Sequence, residues 1–260
     1  MKLILTFIVL LIPWFKGYSQ DLFPHVFDET ELKFKVVQID EFMTRFNYDK
    51  AYDGSTPLEK SDSLYLNERL KNMATLFNLD KFGTEQGILD SLSLSLCNYV
   101  IENDIRLDYR ESSWYAKVDV GVTFTQKKQS VSLYLHPEQI KENEYKWVIG
   151  DVDSSIISKE ETKDSLLIFP SEHGISFVSL PEKIKLKPKA VNTLFCKDYK
   201  YDNLSVFDFL ISNQLCKIGN VQKVVFHFDL PDYSFDVERI ERDNDYNQGW
   251  LVNSIVRTNN

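Results

Sequence analysis

Four histidines are the first place to look for chemistry: His25, His136, His173 and His227. They stand far apart, and none forms HExxH or a close His pair, so the sequence gives no local support for a zinc site. His136 stands just before Pro137, and His227 lies between Phe226 and Phe228; both read as histidines on strand faces. The nine glycines contain neither GxGxxG nor GxxxxGK[ST], and there is no GxSxG. Phosphate loops and nucleophile elbows are therefore not signalled. Asp243-Asn244-Asp245-Tyr246-Asn247-Gln248-Gly249 offers oxygen ligands in calcium-loop order. Its glycine comes one place late, however, and Ser254 stands where a bidentate Glu is needed. The stretch reads instead as a polar hairpin connection. No cofactor is expected.

Carboxylates are numerous but scattered. Asp119 stands out because it interrupts an otherwise regular strand pattern, and a carboxylate in an apolar pocket can serve as a base. The same polar face carries Tyr115 and Thr123, with Tyr134 and His136 on the next strand. Tyr and His among hydroxyls suit an interface better than a reaction centre, since aromatic residues are enriched at interfaces. Tyr115, Asp119, Tyr134 and His136 are therefore the candidate binding residues, and no catalytic or metal residue is assigned.

The element that positions them runs from Trp114 to Asp153. Even positions from Trp114 to Phe124 are apolar and odd positions are mostly polar, which is the two-residue period of a strand with one buried face. Val131, Leu133 and Leu135 continue the alternation, and Tyr145, Trp147 and Ile149 follow a second break over Pro137–Glu144. Three such runs make an antiparallel meander, whose apolar face needs a helical cover. Upstream, Leu32, Val36, Ile39, Met43 and Phe46 fall at helical spacing, predicting a helix that ends near Asn47. Leu66, Leu70, Met73 and Phe77 mark a second helix, capped by Ser61 or Asp62. Ile88–Ile101 alternates Ser and Leu like a strand, but its length favours a third helix. Ile105, Leu107 and Tyr109 suggest a short strand.

Beyond the meander, 158–165 (SKEETKDS) is a polar linker candidate, and Leu166–Phe169 and Ile175–Leu180 read as strands. Pro181–Pro188 is not expected to be regular throughout. Leu204–Leu215 reads as a helix, followed by alternating runs at Val224–Phe228 and Phe235–Val237 and an apolar run at Trp250–Val256. This last region echoes the first: Trp147-Val148-Ile149 matches Trp250-Leu251-Val252, and Thr75-Leu76-Phe77 matches Thr193-Leu194-Phe195. The echo leaves open either two related modules or two unrelated meanders that look alike.

Residues 1–20 have the form of a secretory signal peptide: Lys2, an apolar core from Leu3 to Trp14, and small residues before Asp21. The apolar core is short of the ~20 residues a membrane span needs. A periplasmic or secreted location is therefore expected, with no membrane insertion after cleavage. The remainder divides into an N-terminal α+β domain over 21–157 and a C-terminal α+β domain over 166–260. With 30 basic and 39 acidic residues, the chain lacks the basic surface that nucleic acid requires. Three cysteines are too few for a disulfide scaffold; Cys196 and Cys216 could pair, and Cys97 sits on an apolar stripe. Asn203-Leu204-Ser205 fits an N-glycosylation acceptor. Asp-Ser-Leu at 62, 90 and 164 looks like a bacterial O-glycosylation acceptor, although helix capping explains the first two equally well.

Helices followed by a meander ending in a Trp-bearing strand resemble the nuclear-transport-factor-2-like (cystatin-like) cone fold, best over residues 30–153. Phe42-Met43-Thr44-Arg45-Phe46-Asn47, Trp114-Tyr115-Ala116 and Lys146-Trp147-Val148-Ile149 are also similar to small exported bacterial proteins. The resemblance implies helices on a curved antiparallel sheet, here in two cone-like modules. The fold it points to hosts isomerases, dehydratases, carriers and interaction modules, so it selects no activity. The expectation is an exported, non-enzymatic protein that binds a partner protein or small ligand. The alternatives are a cofactor-free isomerase or dehydratase with a cone pocket, and an inhibitor of a periplasmic hydrolase.

Overall fold

The computed structural model describes residues 31–258 except 143, 155–179, 189–201 and 245. The signal segment, the 158–165 linker, the Leu166–Phe169 run, most of the Ile175–Leu180 run, His25, His173 and Cys196 lie outside the described residues.

Six strands form one antiparallel sheet: β1 (Trp114–Phe124), β2 (Lys127–Lys141), β3 (Glu144–Asp153), β4 (Cys216–Asp229), β5 (Tyr233–Ile240) and β6 (Gly249–Arg257). Their order is β3-β2-β1-β4-β5-β6. Each half contributes a meander that runs outward from the centre, and β1 and β4 meet in the middle from Trp114↔Phe228 to Phe124↔Cys216. The strands on either side of the expected domain division therefore share one sheet instead of building two.

The helices are α1 (Ile39–Phe46), α2 (Tyr65–Ala74), α3 (Leu79–Phe82), α4 (Ser91–Glu102), α5 (Leu180–Leu186) and α6 (Asn203–Ser212). α1 ends at Asn47, as its spacing predicts. It starts later than Leu32, however, because Val36 leaves the helical path to bond β6: Trp250 N–H donates to the Val36 carbonyl at 2.9 Å. α4 settles the Ser–Leu alternation as helix. Asp90 caps it by accepting from the Ser93 N–H at 2.8 Å, and Leu96, Cys97, Val100 and Ile101 are buried on one side.

The strand expected at Ile105–Tyr109 does not form. The Asn47 carboxamide takes both backbone groups of Leu107, accepting its N–H at 2.7 Å and donating to its carbonyl at 2.8 Å. β2 continues through Pro137 where a break was expected. Pro137 pairs with Trp147 on β3, and the β1 ladder has already ended at Ala116↔Leu135, so no bond to β1 is lost for want of a proline N–H. Pro181 likewise falls in the first turn of α5, where proline is tolerated.

One face of the sheet is covered, in a crossed fashion. Phe42 and Phe46 of α1 stack on Phe228 and Phe235 of the C-terminal strands, with ring centroids 6.0 and 5.7 Å apart. Phe207 of α6 is buried with Val120, Val122, Val131, Leu133 and Val152 of the N-terminal strands. Helices from each half thus seal strands of the other. Cys97 is buried in the first cluster, and burial pushes its thiol pKa up. Cys216 is a free, buried thiol in the second cluster, so the expected Cys196–Cys216 bridge is not made at this end. No helix among the described residues is long and apolar enough to cross a membrane.

Candidate functional site

Directly opposed residues in antiparallel strands share a face. The odd-numbered residues of β1 therefore belong to the side away from α1 and α6. Three cross-strand rows can be followed on this open face. The first runs Val148, His136, Tyr115, His227, Asp236, Ser254, through the β2–β3, β1–β4, β4–β5 and β5–β6 pairings. Across β1 and β2 the Tyr115 and His136 rings are 5.8 Å apart. The second row runs Asp151, Tyr134, Lys117, Val225, Glu238. The third runs Asp153, Ser132, Asp119, Lys223.

Tyr115 is the centre of the first row. Its ring lies 4.9 Å from that of His227, tilted by 33°, and 5.7 Å from that of Tyr134. His227 is fixed from two sides: Nδ1 meets Asp236 Oδ1 at 2.6 Å and Nε2 meets Asp229 Oδ1 at 3.2 Å. The hydrogen bond to Asp236 is the largest influence raising the His227 pKa; partial burial opposes it and the Asp229 charge adds to it. An imidazolium beside a phenol ring gains cation–π attraction, which helps hold the Tyr115 ring in place. Partial burial, with the nearby Asp229 and Asp236 charges, raises the Tyr115 hydroxyl pKa. On the other flank His136 occupies space left by Gly150. A Cβ at that glycine would stand 2.8 Å from His136 Cδ2, and Gly150 is the extra residue where the β2–β3 register shifts.

Three of the four residues singled out from sequence, Tyr115, Tyr134 and His136, come together on this face. Asp119 shares the face but stands four residues along the strand from Tyr115, about 13 Å away. Its carboxylate accepts from Ser132 Oγ at 2.6 Å, and it opposes Lys223, which itself pairs with Glu238 at 2.8 Å. It is thus a member of the strand-face network, not a base in an apolar pocket.

The sequence places His227 on a strand face without linking it to Tyr115, and it does not single out Asp236 or Asp229. Alternation with Phe226 and Phe228 puts His227 on the polar side of its strand. Its juxtaposition with Tyr115 depends on β1 pairing with β4 across more than a hundred residues of chain, and no local pattern carries that information.

The described space between helices and sheet is filled largely by aromatic rings, and the polar side chains buried in the helical layer, Arg45, Arg69 and Asn72, bond to neighbouring protein groups. Trp114 stacks on Phe228 at 5.4 Å with rings 4° from parallel, and Phe228 stacks on Phe235 at 5.0 Å. A groove of about 480 Å³ lies away from the Tyr115 row, between α1 and residues 106–111. Both of its arginines are paired within it, Arg106 with Asp49 at 2.5 Å and Arg110 with Asp108 at 2.9 Å, while Asp40 and Glu111 also line it. Among the described residues there is no group of three His, Cys, Asp or Glu side chains placed to hold a metal. In the loop once considered for calcium, the Asn247 carboxamide is committed to protein: it accepts from the Leu79 N–H at 2.9 Å and donates to the Phe77 carbonyl at 2.9 Å.

Comparison with family models, curated protein sequences and solved structures returns no match.

Proposed function

We propose that this is an exported, non-catalytic binding protein that holds a partner protein on the open face of its sheet, with Tyr115 at the centre. The observation that carries the reading is the contiguous set His136–Tyr115–His227 with Tyr134 beside it, held by strand pairing and by the two carboxylates on His227. Rigid aromatic side chains with hydroxyl or imidazole ends give large contact area at low entropic cost. The aromatic filling between helices and sheet supports binding over a cone-pocket enzyme, because stacked rings occupy the space that a cone pocket would need. An inhibitor of a periplasmic hydrolase is the form this reading takes when the partner is an enzyme.

The two-module, cone-like reading is part of the same proposal. The echo of Trp147 by Trp250, the outward order of both meanders and the crossed helical covers support it. A cofactor-free enzyme is the second reading, favoured by the His227–Asp236 contact beside the Tyr115 ring. The two carboxylates on His227 weigh against it, since both ring nitrogens are already engaged by Asp236 and Asp229.

The test is photo-crosslinking from position 134 in the intact, exported protein. The same crosslinked partner should appear with the native sequence and with Phe209→Ser on α6, and should disappear with Tyr115→Ser. A partner retained by Tyr115→Ser and lost with Phe209→Ser would overturn the assignment of the face.

A further inference from the structure

We propose that the free edge of β4, over Lys217–Val224, accepts an extended acidic segment of a partner protein as an added β-strand. β4 pairs with β1 from Cys216 to Phe228, with register shifts at Val120 that pass over Gly219, Asn220 and Gln222, but β5 joins it only from Val225 onward. The preceding stretch is bonded on one side only. Among the described residues no other backbone group bonds to Lys217–Val224. In an antiparallel strand every second residue then points its N–H and C=O away from the sheet, which is a template for another strand.

The outer edge of β6 is treated differently. There Trp250 N–H donates to Val36, Val252 N–H donates to Leu76 at 2.8 Å, and Asn78 N–H donates back to Val252 at 3.0 Å. Among the described residues the fold thus closes one edge with its own chain and leaves the β4 edge without a partner.

The side chains along this edge say what would fit. Ile218 and Val221 are 50% and 58% exposed and pair with Val122 and Val120, on the covered face. Lys217 and Lys223 pair with Thr123 and Asp119, on the open face. Lys128 opposes Thr123 from β2, and Lys127 opposes Phe124. Lys128 and Lys217 flank Thr123 on the open face of an acidic chain, and neither makes an ion pair among the described residues, whereas Lys127 lies opposite Phe124 on the covered face. A groove of about 310 Å³, bounded by Val221, Gln222, Lys223, Val224, Glu238, Arg239 and Trp250, lies where β5 has left β4; Lys223 is paired with Glu238 there, which leaves Lys217 as the free cation of this edge among the described residues. A strand seated there would carry acidic residues towards the lysines and apolar residues towards Ile218 and Val221.

A second copy of this chain is a poor occupant. Antiparallel self-pairing centred on Asn220 sets Lys217 against Lys223, and directly opposed like charges destabilise a strand pair. This surface is separate from the Tyr115 row, so the two proposals fail independently.

The experiment offers the intact protein two short, end-blocked peptides, one alternating Glu and Val and the other Lys and Val. Binding is read by fluorescence anisotropy and by hydrogen exchange of the Lys217–Val224 amides. The Glu–Val peptide should bind at least about tenfold more tightly, a difference of ~1.4 kcal/mol, and should protect those amides. Val221→Pro should abolish binding. Because proline could also disturb the strand, the charge-reversed Lys128→Glu/Lys217→Glu protein is measured alongside and should prefer the Lys–Val peptide. Equal binding of both peptides, no protection in this stretch, or a dimer that protects it without peptide would each overturn the proposal.

Discussion

Trp114 and Tyr115 are neighbours in sequence and opposites in role. Trp114 is 1% exposed, stacked on Phe228 beneath the helices. Tyr115 stands on the other face, against His227. The same alternation recurs on β4, where His227 sits between Phe226 and Phe228. The covered face is held by ring stacking and burial, with polar side chains serving its borders. The open face is held by cross-strand hydrogen bonds and ion pairs, leaving ring surface facing outward. The difference separates what keeps the protein folded from what is free to be used, and substitutions one residue apart should separate the two experimentally.

The largest effect is expected on the covered face. Phe228→Ala removes the ring that joins Trp114, Phe42 and Phe235. Such a loss costs about 3–5 kcal/mol, read as a lower urea midpoint. His227→Ala, one residue away, should cost about 1 kcal/mol or less. If the two losses are equal, the division of labour between faces is wrong.

Asn47 tests the polar border of the covered side. It is 9% exposed, and its carboxamide satisfies both backbone groups of Leu107. Asn47→Ala leaves two buried backbone groups without their partner, at about 1–3 kcal/mol. Hydrogen exchange should locate the loosening at residues 105–111 before it reaches the strands. A uniform loss across the sheet would mean that Leu107 is held by packing alone.

These two positions also mark how much could be read from sequence. The β1–β2 alternation and the stripes at Met43–Phe46, Leu70–Met73 and Leu96–Val100 come from local periodicity, and the structure keeps them, whereas Leu66, Trp147 and Ile149, read into the same patterns, are exposed. Asn47 was visible only as a helix end, because its bonds to Leu107 span sixty residues. The pairing of Lys128 and Lys217 about Thr123 was not visible, since the two come to one row only through β1 pairing with both β2 and β4. Faces are local properties of a strand, whereas rows across the sheet depend on which strands become neighbours. All four candidate residues lie on β1 and β2, which a two-residue turn joins, and so the grouping of three of them was legible.

On the open face the effect depends on pH. The folded state raises the His227 pKa, chiefly through Asp236. Protonation therefore stabilises the fold, and the contribution is fully present below the unfolded histidine value of ~6.5. It is lost as pH rises through the folded value. The stability difference between the native sequence and His227→Gln should be about 0.5–1 kcal/mol near pH 5.5 and should shrink by pH 9. A gap that widens with rising pH would show that neutral His227 makes the favourable contact.

The smallest stability change should accompany the largest change in binding. Tyr115→Ser removes a half-buried ring from the open face but leaves the Trp114–Phe228–Phe235 stack intact. Surface substitutions of this kind usually fall within about 0.5 kcal/mol. His227 keeps both carboxylates after the change, so its own geometry should persist. Loss of crosslinking from position 134 with an unchanged urea midpoint would place Tyr115 in the contact itself. Loss of both together would assign Tyr115 to the same structural class as Trp114 and remove the main reason for treating the two faces differently.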